Sequence, residues 1–419
     1  MLAAAAVVSG LVLGGGASGL LVPDAGPRTS SERARASLVC GEVVNVLRGK
    51  PACAAPLVRL DPNAALRLEL PAGGDQPNDR RYPIVLTGAE GLLTSDSTRI
   101  PGLVSIADIG RGAVRVVPHD DPVAYLKDLD ERISDNAYAR IRAFILAAGI
   151  LLALALVAPR AAVAGFVAVP AANLALGAAG VSELWAVLLV TGLAAGSGLA
   201  LARLPLVPLS IAVVAAYLGA LAAEGTWVSL SPLGPSQNGR FFGLSNLLAT
   251  LLLVPALVGA SRRATFLPAA VLAVVMVAGS SFGADGGGAV VLVAAFAVLA
   301  AGLFGRLGGL AAATAVAVAA ALAIVIGPST HVTSAGSADL PDRVQLSLER
   351  IADDWLFGAA AVVALVLLAL LALRDPRRPL PLALAVGVAV SMAVNDSPFE
   401  VAVAGLVGYL ALRRYDSSG

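Results

Sequence analysis

Ser231–Asn246 reads SPLGPSQNGRFFGLSN, a polar stretch punctuated by Pro and Gly that carries one arginine, Arg240, between two long apolar runs. Apolar runs of that length are tolerated only in a bilayer, so the stretch reads as a loop between membrane spans. A guanidinium at that depth needs a partner or a ligand. Two further polar interruptions share the placement: SSFGADGGG at Ser280–Gly288 and NDSPFE at Asn395–Glu400.

Composition agrees with this setting. The 419 residues are 58% hydrophobic and 14% charged, with a mean hydropathy of +0.85, outside the range of soluble globular chains. The net charge is +1 and no Lys/Arg-rich block occurs, so nucleic acid is excluded as a partner class. The partner implied is membrane lipid.

Residues 1–22 open with an apolar run and pass into GGGASG, the length and ending of a signal-peptide core. No basic residue precedes the run, so a cleaved signal, an uncleaved anchor and a misassigned start all stay open. Residues 23–136 differ in kind, holding most of the acidic residues and every lysine. APLVRLDP, LRLELPA, YPIVLTG, LVSIADIG and AVRVVP are short β-type runs bounded by Pro, Gly or Asp, which predict a small α/β domain. Cys40 and Cys53 both lie in it; a disulfide between them suits an extracytoplasmic side, and two unpaired buried thiols are the alternative. Asp121-Pro122 then reads as a helix start, with Asp as N-cap and Pro at the first helical position.

Residues 137–419 predict an α-helical polytopic membrane bundle of about eleven spans by apolar length. With residues 23–136 outside, the inward turns carry Arg160, Arg203, Arg262, Arg263, Arg306, Arg374, Arg377, Arg378, Arg413 and Arg414. Against them stand Arg240, Arg343 and Arg350 on outward turns, with Arg140 and Arg142 beside the first span. The bias gives a multi-pass cell-membrane protein with its soluble domain extracytoplasmic and its C-terminus cytoplasmic.

The three interruptions then face outward together. Arg240 suits a bidentate grip on phosphate or carboxylate, while snorkelling to the interface or pairing with Asp285 or Glu224 is the bland reading. Asp285 sits in a glycine-rich break, either a substrate site or an ordinary tight turn. Asp396 and Glu400 offer paired carboxylates for acid–base work or a cation, or a solvated turn. Asn173, alone in an apolar run, reads as an interhelical hydrogen bond. GSSFG at Gly279–Gly283 matches the letters of a nucleophile elbow, but a span precedes it where the elbow needs a strand. His119, Asp120 and Asp121 are adjacent, yet with two histidines in the chain and no H-x-x-x-H or C-x-x-C spacing, no metal site is predicted, and the sequence leaves any cofactor unknown.

GRFFGLSN, GADGGG and the NDS of NDSPFE, in that order, resemble an uncharacterised family of bacterial polytopic membrane proteins whose versions look like GRFYGxxN, GAxxGG and NDSG. GLLVPDAG and GLLTSDSTRIPGLVSIADIG are similar to the segments that precede the spans there, themselves similar to part of the alkaline-phosphatase/phosphodiesterase superfamily. The resemblance points to Arg240, Gly243, Asn246, Asp285, Gly287, Gly288, Asn395, Asp396 and Ser397. It departs at DIGRG, Asp108–Gly112, where the family has aspartate-proline-threonine, and at Pro398, which replaces a glycine. With two histidines the metal set of an active alkaline phosphatase cannot be completed, so the resemblance implies a degenerate outer domain that binds or senses.

The expected function is handling of an anionic envelope precursor, such as a polyprenyl-phosphate-linked sugar, at the outer leaflet. Arg240 would hold the phosphate with Gly243, Asn246, Gly287, Gly288, Asn395 and Ser397 shaping the site, and Asp285, Asp396 and Glu400 would act as base or orient the acceptor. A faint similarity of RFFGLSN to O-antigen polymerases and ligases favours that class by analogy alone. A secondary transporter and a non-catalytic assembly or sensing protein are the alternatives, so whether the chain is an enzyme stays open. The topology has a direct check: cysteines introduced at Ser280 and Ser397 should label from outside intact cells and one at Ser261 should not, and labelling of Ser261 alone reverses the orientation.

Overall fold

The computed structural model describes residues 16–22, 32–34, 36–39, 44–45, 50–51, 57–60, 66–68, 81–87, 89–105, 108–109, 112–235, 242–326, 355–374, 378–394 and 398–415. By contact the chain divides into two compact units, Met1–Asp135 with Pro235–Phe242, and Asn136–Gly234 with Gly243–Gly419. Pro235–Phe242, which the sequence places with the spans, groups with the first unit.

The first unit is built on a mixed sheet. Its strands are β1 (Gly16–Val22), β3 (Ala36–Val39), β6 (Leu57–Leu60), β8 (Tyr82–Thr87), β9 (Gly91–Ser95), β10 (Leu103–Ser105) and β11 (Val114–Val117). Two two-stranded pieces stand apart: β2 (Glu32–Ala34) with β7 (Leu66–Leu68), and β4 (Val44–Asn45) with β5 (Lys50–Pro51). The order is β11-β9-β1-β8-β6-β3, with β10 also pairing to β1. All five runs expected as strands are strands.

The central strand is a correction to the sequence reading. The apolar opening places Gly16–Val22 in the signal or anchor segment, yet it pairs antiparallel with β8 and parallel with β9 and β10. Its small residues explain the place: a Cβ on Gly19 would lie 3.0 Å from the Leu93 Cβ, so neighbouring side chains close over the strand only where it is bare. Ala17, Leu20, Ile84, Leu92, Leu93, Leu103 and Val104 are buried around it.

Helix α1 (Pro122–Val157) starts where Asp121-Pro122 predicts, and the Asp121 carboxylate accepts from the Ala124 N–H at 3.1 Å as an N-cap. Leu126 and Leu129 cover Gly102, whose φ of 86° and missing Cβ make room for them. Beneath them the buried Arg81 donates to the Asp130 carboxylate at 2.5 Å and to the Ser134 hydroxyl at 2.7 Å. Both partners lie on one face of α1, four residues apart.

The second unit is all helix: the rest of α1, α2 (Pro159–Ala179), α3 (Leu184–Leu201), α4 (Leu206–Ala223), the short α5 (Thr226–Ser229), α6 (Asn246–Gly259), α7 (Arg263–Ala278), α8 (Gly286–Val325), α9 (Trp355–Arg374), α10 (Pro379–Val394) and α11 (Pro398–Arg413). Six helices, α1 to α4, α8 and α9, are long and apolar enough to cross a membrane; α6, α7 and α10 are apolar but shorter. The chain is thus a helical membrane protein, while eleven crossings are not established. Helix α8 breaks at Gly305, where φ is 73° and ψ −174°. Ser280 just before it donates to the carbonyls of Ala323 and Ile324 near its far end, so the two halves fold back on one another.

Small residues set the closest contacts, as expected where lipid removes the hydrophobic drive between helices. A Cβ on Gly198 of α3 would lie 2.2 Å from the Ala161 carbonyl oxygen of α2, and one on Gly165 would lie 3.1 Å from the Ala195 carbonyl oxygen. Gly196, two residues along α3, faces open space. Gly198→Ala should therefore cost about 1–3 kcal/mol as overpacking, seen as a lower unfolding temperature in detergent, while Gly196→Ala should be neutral.

Candidate functional site

The two ends of the helical unit carry different chemistry. At one end arginines satisfy backbone carbonyls that helices leave open at their C-termini. Arg160 donates to the Ala202 and Leu204 carbonyls at 2.7 and 3.3 Å, Arg263 to Leu303 at 2.8 Å, Arg414 to Leu156 at 3.0 Å, and Arg378 to Arg413. These are the turns that the arginine bias places together.

At the opposite end backbone carbonyls are met by amides, hydroxyls and backbone N–H groups. Asn136 of α1 donates to the Leu230 carbonyl at 2.8 Å. Asn173 of α2 does what its isolation predicts: its amide donates to the Ser231 and Tyr217 hydroxyls at 2.9 and 3.2 Å, and its carbonyl accepts from the Leu233 N–H at 2.9 Å. Ser245 donates to the Leu233 carbonyl at 2.6 Å and caps α6 by accepting from the Leu248 N–H at 3.1 Å. The segment Leu230–Leu233 is thereby held from three helices.

The first two sequence motifs meet directly. Gly243 has a φ of 90°, and a Cβ there would lie 1.9 Å from the Gly283 carbonyl oxygen. The next residue, Leu244, donates its N–H to that oxygen at 3.3 Å. Only glycine fits position 243 on both counts. Gly283 is equally confined, since its Cβ would meet the Met276 and Val277 carbonyl oxygens at 2.4 and 2.5 Å.

Past that contact the chain turns into α8. Gly283, Ala284 and Asp285 donate their N–H groups to Met276, Gly279 and Val277, so the turn satisfies its own backbone against the end of α7. Ala284 adopts a φ of 49°, and Asp285, 2% exposed, is the N-cap position of α8. Its Oδ2 would lie 2.6 Å from a Cβ on Gly288, so the last glycine of GADGGG leaves space for the carboxylate. A carboxylate there complements the helix dipole. Gly287 lies in the first turn of α8, and Asn246 opens α6 with its carbonyl accepting from the Thr250 hydroxyl.

Glu400 lies in the first turn of α11, its carboxylate 3.9 Å from a guanidinium nitrogen of Arg140, which is 5% exposed on α1. Phe144, one turn along α1, stacks edge-on against Phe399 at 6.0 Å between centroids. Arg140 entered the sequence reading only as a count against the assigned orientation. Its spacing of four from Asn136 was the available signal, since both fall on one helix face. Arg240, Asn395, Asp396, Ser397, Cys40 and Cys53 lie outside the described residues.

No group of three or more metal-ligating side chains occurs among the described residues. GSSFG follows α7 and no strand, so its nucleophile-elbow geometry is absent. Comparison with protein-family models, curated proteins and solved structures finds no match for this chain.

The Arg140–Glu400 contact yields a double-variant test. Arg140→Ala should lower membrane abundance by leaving Glu400 beside an apolar gap, and adding Glu400→Gln should restore most of it, because removing both members of a buried pair is far milder than removing one. Equal loss in the single and double variants would show that Arg140 does more than balance Glu400.

Proposed function

We propose that this membrane protein holds an anionic, phosphate-bearing envelope precursor, such as a polyprenyl-linked glycan, at the polar end of its helical unit, and that this end faces the outside of the cytoplasmic membrane. The observation that carries the reading is the Gly243–Gly283 interlock, which sets the loop that follows Arg240 against the turn that carries Asp285. Irregular backbone in a membrane unit is tolerated where it lines a cavity or is buried in protein, and such breaks recur at substrate sites. Ionised groups there are costly and generally serve a ligand or a partner.

In this reading Arg240 grips the phosphate as a planar fork, and Asp285 is the base or the cation ligand. Asp396 and Glu400 orient the acceptor, while Gly243, Asn246, Gly287, Gly288, Asn395 and Ser397 shape the walls. The strand unit binds or senses on the same outer side, with a Cys40–Cys53 bridge. Eleven crossings would place both chain ends of the helical unit as the arginine bias requires. Asn136, Asn173, Asp285 and Glu400 gather toward one end of the helices, which favours surface handling of a lipid over passage through the midplane.

Complementation of a deletion strain, with membrane abundance measured in parallel, tests the assignment. Arg240→Lys should be nearly as damaging as Arg240→Ala, since lysine keeps the charge and loses the fork, and both should be present at normal abundance, as should Asp285→Ala. Low abundance in Arg240→Ala and Asp285→Ala, rescued in the double variant, would make the two residues an architectural pair and end the functional reading.

A further inference from the structure

The chain contains three tryptophans, and all of them lie at the polar end of the helical unit. Trp185 sits in the first turn of α3, just past the left-handed cap of α2 at Gly180. Trp227 lies in α5 near the same end of α2, since a Cβ on Gly177 would meet its carbonyl oxygen at 1.9 Å. Trp355 opens α9, and Phe357 two residues on meets Phe399 at 4.6 Å between ring centroids, beside the Arg140–Glu400 contact. Trp185 and Trp355 are 79% and 77% exposed. Indole has an apolar body and one N–H donor, which suits it to the boundary between hydrocarbon and lipid headgroups.

Helices α3 and α9 are also the least buried of the six long apolar helices, with 22% of the most apolar stretch of each inside the protein. Each ends in an exposed arginine: Arg203 comes eighteen residues after Trp185, and Arg374 nineteen residues after Trp355. At about 1.5 Å per helical residue these spacings are about 27–29 Å, close to one hydrocarbon core of about 30 Å. The same spacing thus occurs on two separate helices, with an amphipathic ring at one end and a cation able to snorkel at the other. We infer that Trp185 and Trp355 anchor the helical unit in the glycerol and headgroup layer of one leaflet, while Arg203 and Arg374 reach the phosphates of the other. The partner is the phospholipid interface itself. The polar end, with the Asp285 turn, is thereby seated at the level of lipid headgroups. This seating stands on the two helices and goes beyond the phosphate reading of Arg240, which it does not require.

Tryptophan fluorescence of the full chain, reconstituted in phosphatidylcholine vesicles, reads this depth directly. Spin-labelled lipids would carry the quencher either beside the headgroup or at the methyl end of the acyl chain, about 15 Å deeper. Trp227→Phe with Trp355→Phe leaves Trp185 alone, and Trp185→Phe with Trp227→Phe leaves Trp355 alone. Each should lose most of its emission to the shallow label and little to the deep one. The parent chain should show the same order, so the test stands where a variant does not fold. Trp185→Ala with Trp355→Ala should lower the unfolding temperature in vesicles and leave it unchanged in detergent, because a micelle adapts to the protein and a bilayer imposes its thickness. Stronger quenching by the deep label, or quenching by aqueous iodide and by neither lipid label, would overturn the seating. Equal loss of stability in vesicles and detergent, or loss in neither, would overturn the anchoring. Shallow quenching together with full function of Arg240→Ala would keep the anchors and remove the phosphate site.

Discussion

A carbonyl or amide released from a helix inside an apolar unit has no water to fall back on, and its partner must come from the protein. The polar end of this chain is arranged around that demand. The Gly283 carbonyl accepts from Leu244, the Leu233 carbonyl from Ser245, the Leu230 carbonyl from Asn136, and the Ala323 and Ile324 carbonyls from Ser280. Each bond ties an irregular segment to a helix or to another irregular segment. Remove the glycines at 243 and 283 and the chains cannot approach closely enough to make the first of them.

The opposite end meets the same demand with arginine. Guanidinium groups reach across turns to carbonyls at helix ends, which suits a surface where charge can stay hydrated. One chemistry closes backbone with mobile charged side chains, and the other with short polar side chains and bare glycine contacts. The second relies on backbone approaches that leave no space for a side chain at Gly243 or Gly283.

Much of this was legible in the sequence because the signals were local. Long apolar runs announced the helices, short β-type runs bounded by Pro and Gly announced five strands, and Asp121-Pro122 announced the start of α1. Strand β1 escapes the sequence reading because its residues 17–20 are buried on both faces, so GASGLLV shows no alternation and merges with the apolar run before it. The grouping of Pro235–Phe242 with the strands had no local signal at all; it follows from contacts such as Arg99 on Phe242, whose partners stand far apart in the chain. Arg140 was visible as an arginine and invisible as a partner of Glu400 for the same reason. Motif spelling pointed to Gly243 and Asp285 without saying that the two interruptions touch.

The central claim is that the polar end holds a phosphate-bearing amphiphile. Native mass spectrometry of the protein extracted in mild detergent, with bound lipid identified by fragmentation, tests it most directly. The account predicts an anionic phospholipid-like molecule retained by the parent chain and lost from Arg240→Lys at equal protein yield. An unliganded parent, or the same lipid retained at the same occupancy by Arg240→Lys and Arg240→Ala, would contradict it.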